Sequence, residues 1–174
     1  MLDLNMQMQQ LKRGNNSALI DIYESTKKAV FIIAFTILRD YELAEDIMQE
    51  TYIKVQTSIN QFRDGTNAKA WINEISRNLA LNLYNRRKKE YLLDFNERED
   101  IGGEYQLNLK DESGIIQLTL KVLDDNESGI VLMHTIGQMR LVEIANMLNK
   151  PSGTVRWQYN NAIKKLKKAV EEEQ

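Results

Sequence analysis

Apolar residues recur along this chain at helical rather than strand spacing, and the gaps between the runs mark the elements. From Leu19 to Tyr91 they fall three or four apart, as in helices that bury one face. Asp40 suits the N-cap of a helix reaching about Ile59, Asp64-Gly65-Thr66 has the chemistry of a loop, and another helix is predicted over 68–90. The periodicity fades between Asp94 and Gly114, where Gly102-Gly103 interrupts a polar stretch. It returns near Ile115, with breaks near Asp124-Asp125-Asn126, near Gly137 and at Asn149-Lys150-Pro151. Strand-type alternation does not persist, and no internal repeat is visible. The pattern predicts an all-α chain of two small helical domains, residues 1–92 and 114–174, with a connector over 93–113.

Composition narrows this picture. Of 174 residues, 43% are apolar and 28% charged, enough for cores and a soluble surface, and a single proline favours helix. The absence of cysteine excludes disulfides and thiolate metal sites and fits a reducing cytosol. The first residues lack a basic flank followed by an apolar run, so no signal peptide is expected. Ala29 to Leu38, the most apolar stretch, is far short of the roughly 20 residues a membrane span needs. A cytoplasmic protein without membrane insertion is expected. The net charge of −2 speaks against a nucleic-acid partner until its distribution is read. From Ser152 to Val170 there are five basic residues and no acid, and Arg86, Arg87, Lys88 and Lys89 form a second basic run. Between them, Asp94 to Glu112 holds seven acids against Arg98 and Lys110.

The C-terminal pattern is the most specific. Leu141, Ile144, Ala145 and Leu148 share one helical face, a turn follows at Asn149-Lys150-Pro151, and a second helix begins near Ser152. On that helix Val155, Tyr159, Ala162 and Leu166 face one way; Arg156, Trp157, Asn160, Asn161, Lys164, Lys167 and Lys168 face the other. Two helices joined by a tight turn, the second with a basic and amide-rich face, make a helix-turn-helix. Arg can bridge guanine O6 and N7, Asn can do the same for adenine N6 and N7, and lysines hold phosphates. An ordinary amphipathic helix with a solvated basic face is the competing interpretation, and Trp157 on that face counts against it.

The string Leu141-Val142-Glu143-Ile144-Ala145, then Leu148, Gly153-Thr154-Val155-Arg156, Ala162 and Leu166 resembles region 4 of the extracytoplasmic-function sigma factors of bacterial RNA polymerase. The resemblance implies that Ser152, Gly153, Thr154, Arg156, Trp157, Gln158, Asn160, Asn161 and Lys164 contact the minus-35 promoter element. Many relatives carry small or basic residues where Trp157, Asn160 and Asn161 stand, and Ser where Pro151 stands. An A·T-oriented preference follows as an expectation.

Two N-terminal motifs extend the likeness. In Asp40 to Val55, Ala44, Ile47, Met48, Thr51, Tyr52 and Val55 share a buried face, while Glu45, Asp46, Gln49, Glu50 and Ile53 lie opposite. Acids near a helix N-terminus satisfy its dipole; an apolar centre inside a polar rim is also how a protein contact is built. The pattern resembles sigma region 2.2, which implies that Asp46, Gln49, Glu50 and Ile53 dock on the polymerase beta-prime coiled coil. The string Ala70-Trp71-Ile72, Ile75, Arg77-Asn78, Ala80 and Asn82 resembles regions 2.3 and 2.4. Here Ile72, Ile75, Leu79 and Leu83 are expected as the core stripe, with Trp71 as an anchor at its border and Asn73 off it.

By the same resemblance, Arg77, Asn78, Asn82 and Asn85 hold the non-template strand of the minus-10 element. The loop from Gln61 through Arg63 and Asp64 to Lys69 surrounds a flipped base, and Arg86, Arg87, Lys88 and Lys89 bind phosphates. The connector is either solvated acidic chain or a segment that crosses the polymerase cleft. The resemblance implies core polymerase (beta-prime coiled coil and beta flap) and promoter DNA as partners, an anti-sigma factor as a common third, and no cofactor, metal or catalysis. A helix-turn-helix repressor or activator would explain the C-terminal pair alone, and a helical adaptor would leave both basic faces unexplained. The lone His134 sits in an apolar stretch and reads as a core or edge residue.

Overall fold

The computed structural model describes residues 3–93 and 113–172, and among them there are eight α-helices and no strand. The N-terminal half comprises α1 (Leu4–Lys12), α2 (Ala18–Leu38), α3 (Tyr41–Thr57) and α4 (Ala68–Leu93), with a 3-10 turn at Ile59–Gln61. The C-terminal half comprises α5 (Ser113–Val122), α6 (Asp125–Thr135), α7 (Leu141–Met147) and α8 (Ser152–Glu172). The acidic connector expected over 93–113 falls, in its interior 94–112, outside the described residues.

α2 organises the molecule. Every residue from Ala29 to Phe35 is buried, which a helix achieves only when neighbours cover it all round. α1, α3 and α4 pack on it within its own half, and α6 packs on it from the other half. The main apolar cluster is therefore continuous across the chain, joining Phe31, Ile32 and Phe35 to Ile116, Ile130, Met133 and Ile144. A second cluster lies wholly in the N-terminal half, around Met8, Leu11, Ile22, Val55, Phe62 and Ile72.

α1 was not evident from periodicity, yet it closes this second cluster. Met8 and Leu11 are buried, and its polar residues reach across to the start of α4. Asn5 Oδ1 accepts the Ala68 N–H at 3.1 Å, and Lys12 Nζ donates to the Phe62 carbonyl at 3.0 Å. Asn67 caps α4 by accepting the Ala70 N–H at 3.1 Å. Asp40 caps α3 as its sequence predicts, accepting the Leu43 N–H at 3.1 Å.

The stripe expected on α4 packs on the apolar clusters, but it is not the most deeply buried line of the helix. Ile72 is buried, but Ile75, Leu79 and Leu83 are only half-buried, and the buried centre passes through Asn73, Ser76 and Ala80. Small and polar residues serve there because another backbone comes close: Ser76 Oγ donates to the Val30 carbonyl of α2 at 3.0 Å. Asn73 is buried in the wall of the cleft between the start of α4 and α7. Trp71 is half-buried and packs its ring on Phe62 at 5.5 Å between centroids, the anchoring role expected of it.

Candidate nucleic-acid and polymerase interface

The C-terminal half positions α8 through a chain of local devices. Asp124 caps α6, its Oδ1 accepting the N–H groups of Asn126 and Glu127 at 2.9 Å each. At Gly137 a Cβ would lie 2.6 Å from the Met133 carbonyl oxygen, so only glycine permits the turn out of α6. Gln138 follows at φ 51°. His134 Nδ1 bonds the Met139 carbonyl at 2.7 Å and its ring meets Tyr159 of α8 edge-on at 4.8 Å. With that carbonyl accepting, Nδ1 carries the proton. This histidine braces the motif, in keeping with the structural role expected of it.

α7 is anchored at its start by Glu143, which accepts the Arg140 backbone N–H at 2.8 Å and its guanidinium at 2.9 Å. Partial burial alone would raise the Glu143 carboxyl, but these bonds and the Arg140 charge hold it below the ordinary carboxylate range. α7 ends in a Schellman turn: Asn149 stands at φ 52°, its N–H reaches the Asn146 carbonyl, and Lys150 N–H reaches that of Ala145 at 2.9 Å. The Pro151 carbonyl then accepts the first bond of α8, from Val155 N–H.

On α8, Val155 and Ala162 are buried and Tyr159 and Leu166 half-buried, matching the inward face read from the sequence. Ser152, Gly153, Thr154, Arg156, Trp157, Asn160 and Lys164 are exposed, Trp157 at 65%. Asn161 is half-buried, and Gln158 is turned inward, with Oε1 buried and lacking a hydrogen-bond partner among the described residues. Lys165, counted within the basic run, is committed elsewhere: its Nζ donates to both oxygens of Glu127 on α6, at 2.6 and 2.7 Å. Spacing carries no sign of that pair, because its partner lies 38 residues away.

On α3 the outward face is uncovered. Asp46, Gln49, Glu50 and Ile53 are all exposed, Ile53 at 63%, while Ala44, Ile47, Thr51, Tyr52 and Val55 are buried beneath. The Tyr52 hydroxyl is satisfied inside by Thr26 Oγ1 at 2.8 Å, and burial pushes its pKa up. Two carboxylates and an amide surround one apolar side chain on a free helix face.

The α4 residues divide between two strips. At about 100° per residue, Asn78, Asn82, Asn85 and Lys89 share the outermost strip, and all four are exposed. Arg77 lies on the flank, half-buried and 3.9 Å from Glu74; Lys88 and the 46%-exposed Tyr84 follow it along the same side. Tyr84 was not singled out by motif, although an aromatic among basic and amide residues is a signal in itself. Arg86 and Arg87 are exposed, with Arg87 4.0 Å from Asp40. The preceding loop is held from below by buried Phe62, turns at Gly65 with φ 80°, and exposes Gln61, Arg63 and Asp64. Asp64 is 3.6 Å from Lys12, and Lys69 donates to the Gln138 carbonyl at 3.3 Å, so both already have partners.

Comparison with known proteins places this geometry. The family models Sigma-70 region 2 and Sigma-70, region 4 match residues 22–90 and 119–168. The chain is 24% identical to the ECF RNA polymerase sigma factor SigW of Bacillus subtilis (strain 168), over 96% of each sequence. It is 32% identical to EcfG of Rhodopseudomonas palustris (strain TIE-1), over 47% of this chain and 41% of that one. Among solved structures, CnrH in complex with the cytosolic domain of CnrY aligns with a TM-score of 0.67 at 19% identity, covering 99% of this chain and 100% of the other. The sigma factor RpoE of Bartonella quintana, bound to the anti-sigma factor NepR, aligns with a TM-score of 0.62 at 21% identity, covering 86% and 94%. Two region models in family order and full-length relatives agree with the three motif strings: the chain belongs to the sigma-70 family as an extracytoplasmic-function RNA polymerase sigma factor, which binds core polymerase and directs promoter-specific initiation of transcription.

Proposed function

We propose how the labour is divided along the chain. Residues 1–92 form the unit that docks on core polymerase and holds the minus-10 element, residues 93–113 tether it, and residues 114–174 read the minus-35 duplex. Asp46, Gln49, Glu50 and Ile53 dock on the beta-prime coiled coil. Asn78, Asn82 and Asn85 take the displaced non-template strand along the outer strip of α4, with Arg77 beside them and Arg86, Arg87 and Lys88 on phosphates. The loop carrying Gln61, Arg63, Asp64 and Lys69 receives the flipped base. On α8, Arg156, Trp157, Asn160 and Asn161 read bases; Ser152, Gly153, Thr154 and Lys164 hold the backbone. Gln158 has a smaller part because its carbonyl oxygen is buried.

The observation that carries this reading is the uncovered α3 face, where Ile53 is 63% exposed inside a rim of Asp46, Gln49 and Glu50. An apolar centre inside a polar rim suits a protein partner. The factor works in the cytoplasm without catalysing a reaction. Contact with the beta flap and capture by an anti-sigma factor belong to the same proposal. A gel shift on a selected promoter, with and without core enzyme, tests it. A complex that needs core enzyme supports the proposal; full duplex binding by the chain alone favours a simple helix-turn-helix regulator.

A further inference from the structure

The chain has two tryptophans, and the fold accounts for one of them. Trp71 packs on Phe62 inside the N-terminal half. Trp157 stands in the second turn of α8, 65% exposed, and no hydrogen bond or ring contact joins it to a described residue. A tryptophan side chain carries about 150–250 Å² of surface, so roughly 100 Å² or more of apolar ring is left in water. Burying that ring against a partner is favourable, and nothing within the described chain does so.

The surroundings of Trp157 indicate what covers it. α8 has five basic residues and no acid from Ser152 to Val170. At about 100° per residue, Asn160, Asn161, Lys164 and Lys168 lie within roughly 60° of Trp157 around the helix. Asn160, Lys164 and Lys168 are exposed with it. Gly153, one turn earlier on the same strip, has no atom within 4 Å of the place its Cβ would take. The fold leaves room for a side chain there, and its absence lets a partner's backbone come close to the start of the helix. The strip is basic, bears amides and is open at its first turn, which fits a polyanion entered by the N-terminal part of a recognition helix.

In a major groove the indole has few ways to discriminate. Its Nε1–H donates, nothing on the ring accepts strongly, and the remainder is apolar. Adenine, guanine and thymine all present acceptors there, so the single donor separates them poorly. The only apolar group on a base edge is the thymine 5-methyl, so ring area separates thymine from the other three. We propose that Trp157 selects a thymine of the minus-35 element by packing its indole on the 5-methyl group. Asn160, three residues on and exposed beside it, is placed for an adenine of the same tract. This contact presupposes the sigma-factor reading and names a base within it. It also gives the expected A·T-oriented preference a physical cause.

The methyl can be removed without disturbing a hydrogen bond, because deoxyuridine differs from thymidine in that group alone. A promoter is first selected with core polymerase carrying the full-length wild-type chain. Each thymine of its minus-35 element, on either strand, is then replaced singly by deoxyuridine, and binding is measured for holoenzymes with wild-type and Trp157→Ala chains. The expected result is a thymine at which deoxyuridine weakens wild-type binding about fourfold, the equivalent of about 0.8 kcal/mol for one methyl-sized group, and leaves Trp157→Ala binding unchanged. An equal loss in Trp157→Ala would assign the methyl to another residue and overturn the proposal. So would the absence of a methyl effect at every thymine, or a minus-35 consensus without A·T pairs. Weaker core-polymerase binding by Trp157→Ala in the absence of DNA would make the indole a protein contact and overturn it as well. A wild-type holoenzyme that selects no promoter at all would refute the sigma-factor reading itself, and this contact with it.

Discussion

The Glu127–Lys165 pair should respond unequally to loss of either partner, and the asymmetry can be worked from exposure. The Glu127 side chain is 11% exposed and accepts two short bonds, whereas the Lys165 side chain is 52% exposed. Lys165→Ala strands a nearly buried carboxylate. Breaking a buried pair from one side costs about 3–5 kcal/mol. The positive N-terminus of α6 offsets up to about 1 kcal/mol, and the half-exposed partner reduces the pair further, leaving about 2–3 kcal/mol. Glu127→Gln keeps the shape and an acceptor, and frees an ammonium that water can reach, so its cost is about 1 kcal/mol. Urea unfolding followed by circular dichroism at neutral pH measures both, and the double variant gives the coupling. Equal losses, or a larger loss for Glu127→Gln, would refute the reasoning. On the proposed reading, the pair also withholds Lys165 from DNA. Lys164→Ala should reduce the salt dependence of promoter binding by about one phosphate contact, and Lys165→Ala should leave it unchanged.

Other outcomes follow from the same geometry. Asp46→Arg and Ile53→Asp, on an exposed face that no described residue covers, should weaken co-purification with core polymerase while helicity and melting stay within experimental error of wild type. Gly137→Ala should destabilise the C-terminal half by about 1–3 kcal/mol, because a Cβ meets the Met133 carbonyl at 2.6 Å; an unchanged melting temperature would contradict this. The Glu143 pKa is lowered in the folded state, so its contribution is present above the ordinary value of 4.5 and is lost as pH falls through the depressed one. Glu143→Ala should therefore cost about 1 kcal/mol at neutral pH, and the gap from wild type should shrink in acid.

What the sequence revealed is what short-range patterns encode. Asp40 announces α3 because a cap acts within three residues. Asn149-Lys150-Pro151 announces the α7–α8 turn because asparagine tolerates the left-handed conformation found there. The faces of α3 and α8 were legible because each buries a simple stripe. α1 was not, since its burial of Met8 and Leu11 is interleaved with glutamines and its Asn5 and Lys12 act on distant backbone. The stripe of α4 was legible, but the deeper burial of Ser76 and Asn73 beside it was not, because neighbouring elements cover them despite their polarity. The Arg39 bond to Ser128 of α6 and the Glu127–Lys165 pair join residues 38 or more positions apart, and no local pattern reports such contacts.

The central claim is that one chain supplies a polymerase-docking face and two separate promoter-reading faces. Run-off transcription from a randomised promoter library, with core enzyme and wild-type or Asp46→Arg chain, tests it most directly. The account predicts enrichment of paired minus-35 and minus-10 sequences that appears only with core enzyme plus wild-type chain and is strongly reduced by Asp46→Arg. Equal enrichment with Asp46→Arg, or selection of a single duplex site by the chain alone, would contradict it.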